Sequence, residues 1–281
     1  MSTHSRTLAS GAGWRVSRFL CTAGPQDRPF EEQHASVCVA AVTHGTFRYR
    51  SSRGSALLAP GALLLGNPCT CYECSHEHGT GDECLAFHFA PDNWEGIVAA
   101  VPGARAATFD APRLPPLPQL MPLLTEAEGA AGTGAAAELE ELSLRLAGAV
   151  MTLLADRPGS GRDPTARDER RISEALRCVE ARAHEPENVS LEALARDAAM
   201  SPYHFLRTFR RVVGMTPHQF VLRTRLHRAA LKVRQSDDPI TSIAFDAGFN
   251  DLSTFNRHFR RAMGVSPGAY RARRVSRRMA A

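Results

Sequence analysis

Residues 205–217 and 255–267 carry one pattern twice, fifty positions apart: Phe205, Arg207, Phe209, Arg210, Arg211, Gly214 and Pro217 fall on Phe255, Arg257, Phe259, Arg260, Arg261, Gly264 and Pro267. Upstream, a shift of forty-nine places Leu191, Leu194, Ala195, Asp197 and Ala198 on Ile240, Ile243, Ala244, Asp246 and Ala247. The one-residue difference falls in the turns, Met200-Ser201 against Phe249-Asn250-Asp251. A recurrence of this length is one supersecondary unit used twice. In each copy a short helix of small residues lets a second helix cross it closely after a tight turn, which is a helix–turn–helix. Ser201-Pro202, Thr216-Pro217 and Ser266-Pro267 supply N-caps with proline at the first helical position, Ser190 caps the helix from Leu191, and Gly214 and Gly264 stop helices.

Phenylalanines four apart on the second helix of each unit bury together. That leaves Tyr203, Leu206, Arg207 and Arg210 exposed on the first copy, and Ser253, Thr254, Arg257 and Arg260 on the second. Such faces suit the major groove, with N-terminal side chains at base edges and the following arginines near phosphates. The helix between the units runs to about Gln235, roughly 28 Å at 1.5 Å per residue, close to one DNA turn of about 34 Å. Charge agrees. From Arg162 onward there are 23 Lys+Arg against 13 Asp+Glu, a net of +10, whereas the preceding 161 residues carry a net of −5. A basic module joined to an acidic one points to a polyanion partner for the former alone. A helical bundle with basic solvent faces accounts for the charge, but not for the duplicated unit and its spacing.

The stretch Ile243–Arg260, with Gly264 and Ser266-Pro-Gly-Ala-Tyr270 after it, resembles the AraC/XylS-type transcriptional regulators, over roughly residues 170–274. The resemblance implies that the second helix of each unit reads the major groove. Carried over by position, Tyr203, Leu206, Arg207, Leu252, Ser253, Thr254 and Arg257 would face bases. Leu206 and Leu252 stand where relatives often have polar side chains, so apolar contact with thymine methyls is expected there. Arg210, Arg211, Arg260 and Arg261 are expected at phosphates or in salt bridges. The resemblance further implies double-stranded promoter DNA and RNA polymerase as partners, a homodimer, a transcription regulator's role as activator or repressor, no enzymatic activity, and an N-terminal cupin-like domain that senses an effector or dimerises.

The expected fold class is α+β. It comprises a cupin-like β-barrel at 14–100, a helical connector or dimerisation region at 103–156, and an all-α double helix–turn–helix domain at 165–275. Short strands with glycine and proline turns support the first part: Ser36–Val42, Thr46–Arg50, Ala56–Ala59, Ala62–Leu65 and Cys84–Phe89. Residues 135–154 form a helix with Leu139, Leu142, Leu146, Val150 and Leu153 on one stripe, to pack on the barrel or on a second subunit. Residues 156–164 read as a linker. The longest apolar run, Ala56–Leu65, is interrupted by Pro60-Gly61 and far shorter than the ~20 residues of a membrane span. The first fifteen residues hold no apolar stretch of signal-peptide type, so a cytoplasmic protein with no membrane partner is expected.

Seven cysteines, four of them between Cys69 and Cys84, suggest reduced thiols rather than a disulfide framework. If residues 73–78 are extended, Cys74, His76 and His78 share a face. If 84–89 is the next strand of a hairpin turned at 79–82, Cys84 and His88 share a face while Leu85, Phe87 and Phe89 fill the core. Cys74, His76, His78 and Cys84 then offer zinc or another thiophilic metal such as Cu(I) four ligands. Glu32, His34 and Cys38 stand near where metal-binding cupins place ligands. Three other readings stay open: an exposed low-pKa thiolate as a redox sensor, a metal-dependent cupin enzyme using His76, His78 and Glu83, and a ligand-free dimerisation barrel.

Overall fold

The computed structural model describes residues 3–279 except 30, 77–78, 80, 102–103, 105–106, 134–135, 156–164 and 186–188. Within its helices and strands it describes all side chains but those of 3, 133, 203, 207 and 274–279. The expected linker at 156–164 lies outside the described residues.

The N-terminal half is built from β1 (Thr3–Gly11), β2 (Trp14–Cys21), β3 (Glu31–Gln33), β4 (Val37–His44), β5 (Phe47–Ser51), β6 (Gly54–Leu58), β7 (Leu63–Gly66), β8 (Cys71–Ser75), β9 (Asp82–Phe89), α1 (Pro91–Ala100), β10 (Arg113–Leu114), α2 (Met121–Thr133) and α3 (Ala136–Ala155). Its strands form a six-stranded sheet, β1-β2-β9-β4-β7-β10, and a four-stranded one, β3-β8-β5-β6, antiparallel throughout. The two-residue period sorts the side chains of β9. Leu85, Phe87 and Phe89 face outward into a core shared with α1, α2 and α3, while Cys84 and Ala86 face the smaller sheet and pack near Phe47, Tyr49 and Leu58. Three layers result: small sheet, large sheet, helices.

Three expectations need correction. The sheets do not close into a barrel; they are hydrogen-bonded as two separate sheets. The hairpin turned at 79–82 does not form, because β9 is already flanked by β2 and β4, whereas β8 pairs with β3 and β5. Strands β8 and β9, consecutive in the chain, therefore belong to different sheets. Sheet structure also begins before Trp14, with β1; the helical connector contains α2 ahead of the helix expected at 135–154. Burial of Leu124, Ala127, Ala130 and Ala131 against the large sheet's outer layer stabilises α2 in place of amphipathic contrast. The stripe of α3 is spent in the same layer, with Leu139, Leu142, Leu146 and Val150 all buried there.

The C-terminal half holds α4 (Ala166–Arg182), α5 (Leu191–Asp197), α6 (Pro202–Val213), α7 (Pro217–Gln235), α8 (Ile240–Asp246), α9 (Leu252–Met263) and α10 (Pro267–Met279). Local chemistry sets these boundaries. Ser190, Ser201 and Thr216 accept N-cap hydrogen bonds, Thr216 and Gln219 complete a capping box, and Gly214 and Gly264 end α6 and α9 with φ of 90° and 78°. The last helix, expected to be short, spans 13 residues.

The two halves are packed together. Leu57 and Ala59 of the small-sheet side join the core of α4–α7, and Met121 joins that of α7–α10. Polar contacts reinforce this: Thr46 Oγ1 lies 2.9 Å from Ser173 Oγ, Arg48 pairs with Glu169, and the Gly45 N–H donates to Glu180 Oε1 at 3.1 Å.

Candidate functional site

Two regions carry chemistry. The first is the pair of helices α6 and α9. Phe205 and Phe209 are fully buried with ring centroids 5.6 Å apart, and Phe255 and Phe259 repeat this at 5.4 Å. Each pair anchors its helix on α5 or α8 and turns the opposite face to solvent. On α6, Arg210 is exposed and Leu206 half-buried; the side chains of Tyr203 and Arg207 lie outside the described ones. On α9, Ser253, Arg257 and Arg260 are exposed, and Leu252 and Thr254 half-buried. Asp251 caps α9, its Oδ1 accepting from the Thr254 N–H at 2.7 Å. That bond holds the Asp251 carboxyl below its usual pKa, so the first turn presents donors, polar side chains and arginine together. Arg211 is exposed like Arg210, Arg260 and Arg261 but also reaches Asp168 of α4 at 3.6 Å.

The long α7 lies between the two units and is held by the N-terminal half along its length. Arg223 is buried and its Nη1 donates to the Pro60 carbonyl at 3.1 Å. His227 lies 2.9 Å from Thr125 Oγ1 and 3.0 Å from Glu128 Oε2, and Arg234 Nη2 is 3.0 Å from Glu138 Oε1.

The second region is a cavity of about 120 Å³ between the two sheets. Cys38, Cys84 and His88 line it from the large sheet, Tyr72 and Cys74 from the small one, and His34 and His76 from adjoining segments. His34 stacks on Tyr72, centroids 4.2 Å apart, and lies 2.9 Å from the Tyr49 hydroxyl. Tyr72 donates a short hydrogen bond to Glu32. Burial holds His34 and His88 neutral, each pKa lowered to about 4, helped for His34 by the charge of His88 and for His88 by Arg15. The buried His88 Nε2 has no hydrogen-bond partner among the described residues.

Desolvation pushes the Cys38 thiol up to about 12 and raises Cys74 and Cys84 too. These thiols stay protonated and unreactive, opposite to the low-pKa thiolate that redox sensing needs. Glu83 turns away from the cavity to Arg18 at 3.3 Å and His44 at 3.9 Å, so it does not join His76 as an iron carboxylate. Of the four expected metal ligands, Cys74, His76 and Cys84 all line the cavity, while His78 lies outside the described residues. The donor atoms that converge are those of Cys21, His76 and Asp82, all within 4.8 Å of one another. Cys21 escaped the sequence reading because its partnership comes from the pairing of β2 with β9, which sets Cys21 opposite Asp82. No local pattern announces that register.

Residues 194–273 match the helix-turn-helix domain family. Over 78 residues the chain is 41% identical to the HTH-type transcriptional regulator Rv1931c of Mycobacterium tuberculosis, covering 28% of this chain and 30% of that protein. Over 84 residues it is 42% identical to the HTH-type transcriptional activator RhaS of Escherichia fergusonii, covering 30% of each. Among solved structures, the DNA-binding domain of AdpA in complex with a target DNA is 34% identical, over 38% of this chain and 95% of that one, with a TM-score of 0.36. The chain matches about a third of the length of these curated relatives. Among the described residues no helix is long and apolar enough to cross a membrane.

Proposed function

With an AraC-type helix-turn-helix domain at residues 194–273 as the starting point, we propose that this chain is a sequence-specific transcription regulator whose N-terminal half senses an effector. The observation that carries the reading is the duplication. Two phenylalanine-anchored helices with exposed arginine faces flank one rod, the 19-residue α7. Each of α6 and α9 enters one of two successive major grooves. Tyr203, Leu206, Arg207, Leu252, Ser253, Thr254 and Arg257 meet base edges, and Arg210 and Arg260 meet phosphates.

An effector in the inter-sheet cavity acts through the contacts that grip α4 and α7. It shifts the balance between two ways of presenting α6 and α9, and it acts only to the extent that it binds one arrangement more tightly. The protein works in the cytoplasm as a homodimer that contacts RNA polymerase at a promoter. Relatives named as HTH-type transcriptional regulators support this assignment over an enzyme, and so does the outward turn of Glu83.

Band shifts over a range of salt concentrations test it. Arg260→Ala is expected to weaken binding to all sequences alike and to reduce the salt slope by about one. Arg257→Ala is expected to cost about 1–3 kcal/mol on the preferred site and relax selectivity at one position. An unchanged slope for the first variant, or unchanged selectivity for the second, removes that residue from its role.

A further inference from the structure

We propose that Cys21, His76 and Asp82 form a binding site for a Zn²⁺-class cation at the edge of the inter-sheet cavity, and that this cation is the effector. The effector part rests on the regulator reading above; the site itself does not.

The three groups arrive from different elements. Cys21 ends β2, His76 follows β8, and Asp82 begins β9, so a bound ion would tie both sheets at the point where the chain crosses between them. The His76 and Asp82 side chains are only 5% and 8% exposed, and His76 Nε2 lies 2.5 Å from Asp82 Oδ2. A tetrahedral zinc site places its donors about 3.5 Å apart, given metal–ligand bonds of about 2.0–2.3 Å. Donors already within 4.8 Å reach that spacing with side-chain adjustment alone.

The donor set also selects the ion. One thiolate, one imidazole and one carboxylate suit a borderline divalent cation. All-oxygen ligation would suit magnesium or calcium, and a thiolate-rich set Cu(I). On binding, the Cys21 thiol gives its proton to solvent, as does the His76 ring when protonated, and Asp82 exchanges its hydrogen bond for the metal. Three protein ligands leave a fourth position, and Cys74 lines the same cavity.

The site adjoins the boundary between the halves. Gly45, with φ of +74°, lies so near β9 that a Cβ there would stand 2.8 Å from Asp82 Cα, and its N–H holds Glu180 of α4. Movement of Asp82 is thus one contact away from the first helix of the DNA-binding half. A cleft of about 780 Å³, lined on one side by Gly81 and Asp82 and on the other by Glu180 and Arg228, follows the same boundary.

The test uses the full chain, stripped with chelator and titrated with Zn²⁺ or Co²⁺ against a chromophoric chelator. One equivalent is expected to bind, with a thiolate-to-cobalt absorption band. Cys21→Ser, which preserves size, should abolish that band. His76→Gln and Asp82→Asn should each weaken binding at least about tenfold. Replacing the exposed Cys69 and Cys71 with serine should change nothing. Absence of stoichiometric binding, or a band that follows Cys69 and Cys71 instead of Cys21, overturns the site.

For the effector part, Zn²⁺ is expected to change affinity for a duplex selected from random sequence by about fivefold or more. Glu180→Gln should remove that change while zinc stoichiometry stays at one. Equal affinity with and without zinc overturns the effector role. Failure to select any duplex, with or without zinc, would instead strike the regulator reading and leave the zinc site standing.

Discussion

Single residues do opposite electrostatic work in the two halves. The arginines on α6 and α9 stand exposed to solvent, whereas burial in the cavity between the sheets holds His34 and His88 neutral. The second arrangement has a measurable consequence. Both histidines have folded-state pKa values lowered from 6.5 to about 4. Above 6.5 neither state binds the proton and nothing is lost. Between 6.5 and 4 the unfolded chain takes up protons that the folded one refuses, so stability falls as pH falls. At pH 5 each histidine is expected to have cost about 2 kcal/mol. Urea unfolding at pH 7.5 and 5 should show that drop, and His34→Gln should remove about half of it. A profile that His34→Gln leaves unaltered would contradict a neutral buried His34.

At the scale of elements, the C-terminal helices were legible and the N-terminal topology was not, for a physical reason. Ser201, Thr216, Gly214 and Gly264 fix helix ends through bonds within four residues, so their meaning is local. The side-chain alternation of β9 is local too, and Leu85, Phe87 and Phe89 bury as expected. Strand partners are not local. Residues 73–78 and 84–89 look like consecutive arms of a hairpin, yet the strands that form there, β8 and β9, belong to different sheets because β2 and β4 occupy both sides of β9. The same distant pairing brings Cys21 to Asp82 and leaves Cys74 and Cys84 outside the converging trio. The bounds of α2 within the helical connector were not legible, because its burial is decided by distant elements, α3 and α7, on which it packs.

One element contact offers a direct check on how the halves are joined. Gly61 has φ of +83°, and a Cβ there would lie 1.8 Å from Arg223 Nη2. Gly61→Ala must therefore expel Arg223 from the Pro60 carbonyl and strain the turn. A loss well above ~1 kcal/mol is expected in thermal unfolding. Wild-type stability in that variant would show that Arg223 does not hold α7 to the N-terminal half.

The whole molecule is an acidic three-layer half clasping a basic helical half, with α7 as the shared member. Pro60, Glu128 and Glu138 all hold the rod that separates α6 from α9, so the N-terminal half sets where that rod lies. It also assigns the stripe of α3 to the internal layer, so a homodimer has to use another surface.

The central claim is that α6 and α9 of one chain occupy neighbouring major grooves. Hydroxyl-radical footprinting on a duplex selected from random sequence tests it most directly. Two protected patches per chain are expected on one face of the duplex, about 10 base pairs apart, with Arg210→Ala fading one and Arg260→Ala the other. A single patch per chain, or protection indifferent to sequence, would contradict the account.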